Sequence, residues 1–167
     1  MFNLKLIPHK EVTQNYLDEI IRVKSMAWPY SHEKQLEWIN SNLSDLDIHV
    51  LLYWDREFVA YLNLVDIELI VDGIPKKAYG VGNVCAKFKN KGFGKELIAS
   101  VNSFLVENNK IGLLFCKNLL VDFYVYNNWV AIEKKKLTIA FDNRLTETMI
   151  FNCNHEFSNL MYLKKPF

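Results

Sequence analysis

Lys89-Asn90-Lys91-Gly92-Phe93-Gly94-Lys95 is the stretch whose reading decides the fold. Upstream, Lys76–Lys87 reads as a strand. Downstream, Phe93, Leu97, Val101, Phe104 and Leu105 share one face, which predicts an amphipathic helix over Gly92–Asn109. The first N–H groups of a helix lack internal partners, and the aligned peptide dipoles leave partial positive charge there. Glycine at 92 and 94 removes the Cβ atoms that would hold an anion away from those groups. Lys89, Lys91 and Lys95 add formal charge. The constellation suits a phosphate or pyrophosphate; the plainer alternative is a solvated turn whose glycines only permit the bend. Neither the Walker loop nor the three-glycine dinucleotide fingerprint is present.

The rest of the chain supplies the context. Its 167 residues suit one domain over 1–167. Half are hydrophobic and 14% aromatic at a net charge of +1, which excludes disorder and a global basic field for nucleic acid. Of six glycines, four (Gly80, Gly82, Gly92, Gly94) crowd one region. Gly80 and Gly82 are consistent with close backbone approach or a bulge in the strand. No apolar run is long enough to span a membrane, and the start lacks a signal-peptide pattern. Cys85, Cys116 and Cys153 are odd in number and far apart, so they read as buried free thiols of a cytoplasmic protein. No cysteine–histidine spacing suits zinc, and no metal is expected. Residues 1–83 carry eight Lys/Arg against twelve Asp/Glu, and residues 84–167 twelve against seven. An acidic half beside a basic half suits a cationic and an anionic ligand, or is chance.

Elsewhere the patterns are local. Phe2–Ile7 predicts a strand ending at Pro8. Glu11–Ala27 predicts a helix with Val12, Tyr16, Ile20, Val23 and Ala27 inward, stopped by Pro29. Ser31 caps a second helix to about Leu43, with Leu36, Ile39 and Leu43 inward. Ile48–Trp54 and Phe58–Val71 predict strands, and Asp72-Gly73 a hairpin turn. Ile111–Cys116 predicts a buried parallel strand, and Asn118–Asn127 a short helix. Trp129–Phe141 and Thr148–Cys153 predict a closing pair of strands, with Lys134–Lys136 on a solvated edge. The order β-α-α-β-β-β-α-β-α-β-β gives one α/β domain with a mixed sheet.

Two spaced motifs in this order resemble the GCN5-related N-acetyltransferases. Lys89-x-x-Gly92-x-Gly94 matches their acyl-CoA loop, with lysine at the usual Gln/Arg position. Phe123-Tyr124-Val-Tyr-Asn-Asn128-Trp129 matches their later Phe-Tyr-x-x-x-Gly-Phe, with Asn128 at the glycine, where a left-handed backbone is expected. Lys117 and Leu120 depart from the family's Asn and Ala, although Asn118 is adjacent.

The resemblance implies an α/β (α+β) fold with a mostly antiparallel sheet flanked by helices. It also implies an N-acetyltransferase using acetyl-CoA as cosubstrate. Cofactor contacts then fall on the backbone of Asn83, Val84 and Cys85, on Lys89, Asn90, Lys91, Gly92, Phe93, Gly94 and Lys95, and on Asn118. Tyr124 becomes the acid that protonates the departing CoA thiolate; a core tyrosine is the alternative. For the base, Glu68 is the first candidate, with His49 and the Phe167 carboxylate as others. Trp28, Tyr30, Asp66 and Glu68 become acceptor contacts. The expected acceptor is a small-molecule amine resembling an aminoglycoside or amino sugar, with no nucleic acid or membrane partner, in a monomer or homodimer. A protein or peptide acetyltransferase, a non-catalytic acyl-CoA-binding domain and a toxin acetylating charged tRNA are the alternatives. The last lacks the basic field it would need.

Overall fold

The computed structural model describes residues 1–153 and 155–167. The strands are β1 (Phe2–Pro8), β2 (Ile48–Trp54), β3 (Glu57–Val71), β4 (Ile74–Ala86), β5 (Ile111–Cys116), β6 (Val130–Ala131), β7 (Leu137–Ile139), β8 (Glu147–Phe151) and β9 (Leu160–Tyr162). The helices are α1 (Gln14–Ala27), α2 (His32–Asn42), α3 (Phe93–Glu107) and α4 (Val121–Tyr126). This is a mixed, mostly antiparallel sheet with helices, as expected. The chain divides into two compact units, and β3, β4 and α3 pass through both.

The first unit comprises Met1–Val65 and Gly82–Ser100. β2 pairs antiparallel with β1 from Phe2↔Trp54 to Pro8↔Ile48, and with β3 from Ile48↔Leu64 to Trp54↔Glu57. Asp55 and Arg56, at φ 45° and 72°, make the tight turn between β2 and β3. α1 buries Leu17, Ile20, Ile21 and Lys24 at the i, i+3, i+4, i+7 spacing of one helix face. Leu17, Ile20 and Ile21 pack with Ile39, Leu43, Leu51, Tyr61 and Cys85. The Ser31 hydroxyl accepts from the Lys34 N–H at 3.3 Å and starts α2.

The second unit comprises Asp66–Val81 and Val101–Phe167. Asp72 and Gly73, at φ 48° and 80°, turn β3 into β4 as the sequence predicts. β4 runs parallel to β5 from Ala78↔Ile111 to Gly80↔Leu113, which confirms the buried parallel strand. β5 pairs antiparallel with β8 from Gly112↔Phe151 to Cys116↔Glu147, and β8 pairs with β6.

Several local expectations are corrected. α1 starts at Gln14 because His9–Glu11 form a 3-10 turn, closed by the Val12 N–H on the His9 carbonyl at 3.2 Å. Val12 is therefore outside the helix, and Ala27 is exposed. Leu36 is half-buried, and Gln35 beside it is buried instead. The strand expected over Trp129–Phe141 is broken into β6 and β7, with Lys134–Lys136 in a 3-10 turn between them. Ion pairs from Lys135 and Lys136 to Glu133 accompany that turn. β9 was not expected. It pairs antiparallel with β3 (Ile70↔Met161, Val71↔Leu160) and parallel with β7. Asp72 holds its start, accepting from the Ser158 and Asn159 N–H groups at 2.9 and 2.8 Å. Phe167 packs inside its own unit: its ring lies 5.1 Å from that of Phe115 and meets Tyr162 edge-on at 5.6 Å. A Cβ on Gly80 would lie 2.5 Å from that ring, so the close approach at Gly80 is made by Phe167.

Candidate functional site

In the first unit, β4 ends at Ala86 and α3 begins at Phe93. Gly92 stands at the helix start with φ +79°, and its carbonyl accepts the first helical bond from the Glu96 N–H at 3.0 Å. A Cβ there would touch nothing, so the backbone conformation alone calls for glycine. Asn90, at φ 59°, supplies a second left-handed residue in the loop. Lys89, Asn90, Lys91, Gly92 and Lys95 are exposed, while Phe93 and Gly94 are half-buried. The Phe93 ring meets Phe2 edge-on at 6.2 Å and anchors the helix start. Donors, dipole and lysines thus share one exposed helix end, which suits an anion.

The strand feeding this loop bends where the sequence reading located pantetheine. Asn83 has φ 54°, a left-handed value inside a strand. Its side-chain N–H donates to the Asn63 Oδ1 at 2.6 Å, and the buried Asn63 Nδ2 has no partner among the described residues. Cys85 is buried beside Tyr61, and burial pushes its thiol up to about 12. Its side chain packs in the core of the first unit.

Beneath α1 lies a polar group that the sequence reading missed. Lys24 is 2% exposed, with its ammonium 4.3 Å from the Trp38 ring centroid. Among the described residues no carboxylate pairs with it. Burial lowers its pKa from 10.5 to about 8, opposed only in small part by Cys85. His49 is also fully buried; its imidazole bonds His9 and Tyr61, and burial, His9 and Lys24 lower its pKa to about 3. The overlooked signal was a lysine on the Leu17-Ile20-Ile21 face, whereas His49 already stood among the candidate bases. Of the expected acceptor contacts here, Trp28 is half-buried against the core and Tyr30 is 63% exposed. The Trp28 carbonyl accepts from the buried Gln35 side chain at 2.8 Å.

In the second unit, Tyr124 is buried and meets Phe123 and Trp129 edge-on, at 5.0 and 6.2 Å. α4 ends in a Schellman turn: the Trp129 N–H reaches the Tyr124 carbonyl and the Asn128 N–H the Val125 carbonyl, each at 3.0 Å. Asn128 takes the left-handed φ of 66° that the motif needs, as its place in the sequence predicts. Asn102 braces this corner, accepting from the Trp129 indole at 2.9 Å and donating to the Asn127 carbonyl at 2.8 Å. Burial, with the Cys116 charge adding, raises the Tyr124 hydroxyl well above its ordinary range, so it stays protonated. Asn118 is exposed in a 3-10 turn. Asp66 and Glu68 are exposed on β3, and Glu68 lies 3.9 Å from the Lys77 ammonium as a surface ion pair.

Among the described residues no group of three or more His, Cys, Asp or Glu side chains gathers for a metal. No helix among them is long and apolar enough to cross a membrane. No protein-family model matches the chain, and no curated protein matches it by sequence. Solved structures do. The Escherichia coli ElaA crystal structure is similar at TM-score 0.65 and 15% identity, covering 90% of this chain and 99% of that one. An acyl-CoA N-acyltransferase from Pseudomonas aeruginosa is similar at 0.64 and 16%, with the same coverage. The Campylobacter jejuni N-acetyltransferase PseH is similar at 0.59 and 14%, again over 90% and 99%. The chain therefore has the fold of the GCN5-related N-acetyltransferases.

Proposed function

We propose that this chain is an acyl-CoA-dependent N-acyltransferase that moves an acetyl group from acetyl-CoA to a primary amine of a small molecule. The observation that carries the reading is the exposed start of α3, where Gly92 holds a left-handed backbone among Lys89, Lys91 and Lys95. Those lysines and the helix N–H groups bind the CoA pyrophosphate. The backbone of Asn83, Val84 and Cys85 receives the pantetheine. The acceptor nitrogen attacks the thioester carbon, the C–S bond breaks, and the CoA sulfur takes a proton. Tyr124 is the donor in this reading, and the burial that keeps its hydroxyl protonated supports the role. The likeness to an acyl-CoA N-acyltransferase and to an N-acetyltransferase supports the same chemistry. A cytoplasmic location belongs to this reading too, since it accords with free thiols.

Calorimetric titration with CoA, and thiol release from acetyl-CoA over a panel of amines, test it. Gly92→Ala costs about 1–2 kcal/mol of backbone strain at a left-handed position and weakens CoA binding. Tyr124→Phe lowers kcat by about 100-fold with CoA affinity unchanged. Failure of wild type to bind CoA sinks the reading, and full turnover in Tyr124→Phe removes that residue from it.

A further inference from the structure

We propose that Asn63 donates a hydrogen bond to the acyl oxygen of the bound thioester, with Asn83 holding its carboxamide in place. The role rests on the acyl-transfer reading and names the group that polarises the acyl carbon. Asn63 sits on β3 and Asn83 on β4, both in the first unit. Asn83 keeps its left-handed φ of 54° inside a strand, a conformation that residues other than glycine adopt at a cost. Its Nδ2–H donates to the Asn63 Oδ1 at 2.6 Å. That bond occupies the Asn63 oxygen and leaves the nitrogen as the open end of the carboxamide. Asn63 is fully buried, and its Nδ2 has no partner among the described residues. A buried N–H without an acceptor costs stability, which marks a group that meets its acceptor on a ligand.

Asn63 follows Tyr61 by two residues on β3, so both face the side that packs under α1. The other buried amide and the imidazole of that side are already satisfied. Gln35 donates to the Trp28 carbonyl at 2.8 Å, and His49 bonds His9 and Tyr61. Asn63 is bonded to the bend at Asn83, which receives the pantetheine in this reading, so the thioester arrives beside it. A thioester oxygen accepts hydrogen bonds and has none to give, which is what an open donor requires. The attacking amine is the wrong partner, because its lone pair is spent on the acyl carbon and its hydrogens only donate. As the N–C bond forms, the C=O pair moves onto the oxygen. The pair returns as the C–S bond breaks; the sulfur takes one proton and the nitrogen gives up one, so the count balances. The charge that develops on the oxygen is what a fixed N–H in a site without water stabilises.

The test compares acetyl-CoA, which carries the acyl oxygen, with CoA, which lacks it. Calorimetric titration of the full chain with each ligand gives the ratio of their affinities. Asn63→Leu is expected to weaken acetyl-CoA binding about 3–10-fold with CoA binding unchanged. It should also lower kcat on a responsive amine by about 100-fold. Infrared difference spectra with 13C-labelled acetyl carbonyl should show its stretch at higher frequency in the variant than in wild type. If Asn63→Leu does not fold, Asn83→Gly decides: glycine keeps the left-handed bend and removes only the brace. Its affinity ratio and carbonyl frequency should move in the same direction by a smaller amount. Equal losses for both ligands, or an unmoved carbonyl frequency, overturn the role of Asn63 and leave the acyl-transfer reading standing. Failure of wild type to bind either ligand overturns both.

Discussion

Replacing Lys24 by methionine should make the protein more stable near neutral pH, an unusual outcome for a fully buried position. The amine is moved from 10.5 to about 8 chiefly by burial. That shift corresponds to about 3 kcal/mol favouring the neutral form in the folded state. Above about 10.5 neither state is protonated and the penalty is absent. Between about 8 and 10.5 the unfolded chain holds a proton that the folded chain does not, so wild-type stability rises with pH there. Below about 8 the folded state carries the buried charge and the whole penalty is felt. Methionine matches the unbranched stem and removes the charge. It also gives up the contact with Trp38, worth about 0.5–2 kcal/mol. The net expectation is a gain of about 1–3 kcal/mol near pH 7, vanishing by about pH 10.5. Urea unfolding of both proteins at the two pH values reads the difference directly. A variant less stable than wild type by the same amount at both would refute the premise that Lys24 is a buried, uncompensated cation. A chain that keeps such a residue gives up stability at that position, which is the usual mark of a functional group.

Two other expectations follow from packing and burial. A Cβ on Gly112 would lie 2.6 Å from the Trp129 ring and 2.8 Å from Leu105. Gly112→Ala should therefore destabilise by about 1–3 kcal/mol, with altered Trp fluorescence, and an unchanged melting temperature would refute the tight contact. Cys85 and Cys116, raised to about 12 and 11, should resist alkylation at pH 8, whereas the partly exposed Cys153 reacts first. Mass mapping of the modified peptides checks that order.

Much of this protein was legible locally. Strand alternation, Pro8, Ser31, the Asp72-Gly73 turn and the glycines before α3 each act within a few residues, where sterics and backbone hydrogen bonding decide the outcome. Asn128 was legible for the same reason, since few side chains other than glycine tolerate a left-handed backbone. The tertiary structure alone decided the rest. β9 is three residues long and exists through its pairing with Ile70, Val71 and β7, partners remote in sequence. The stretch expected as one long strand divides for the same reason, as β6 and β7 pair with different strands. Nothing local marks Lys24 as buried until Trp38 and Cys85 arrive beside it, and His9, His49 and Tyr61 meet only when β2, β3 and the turn after β1 come together. A sequence pattern records what a residue does to its own backbone. Desolvation and hydrogen-bond partners are set by which distant residues arrive beside it.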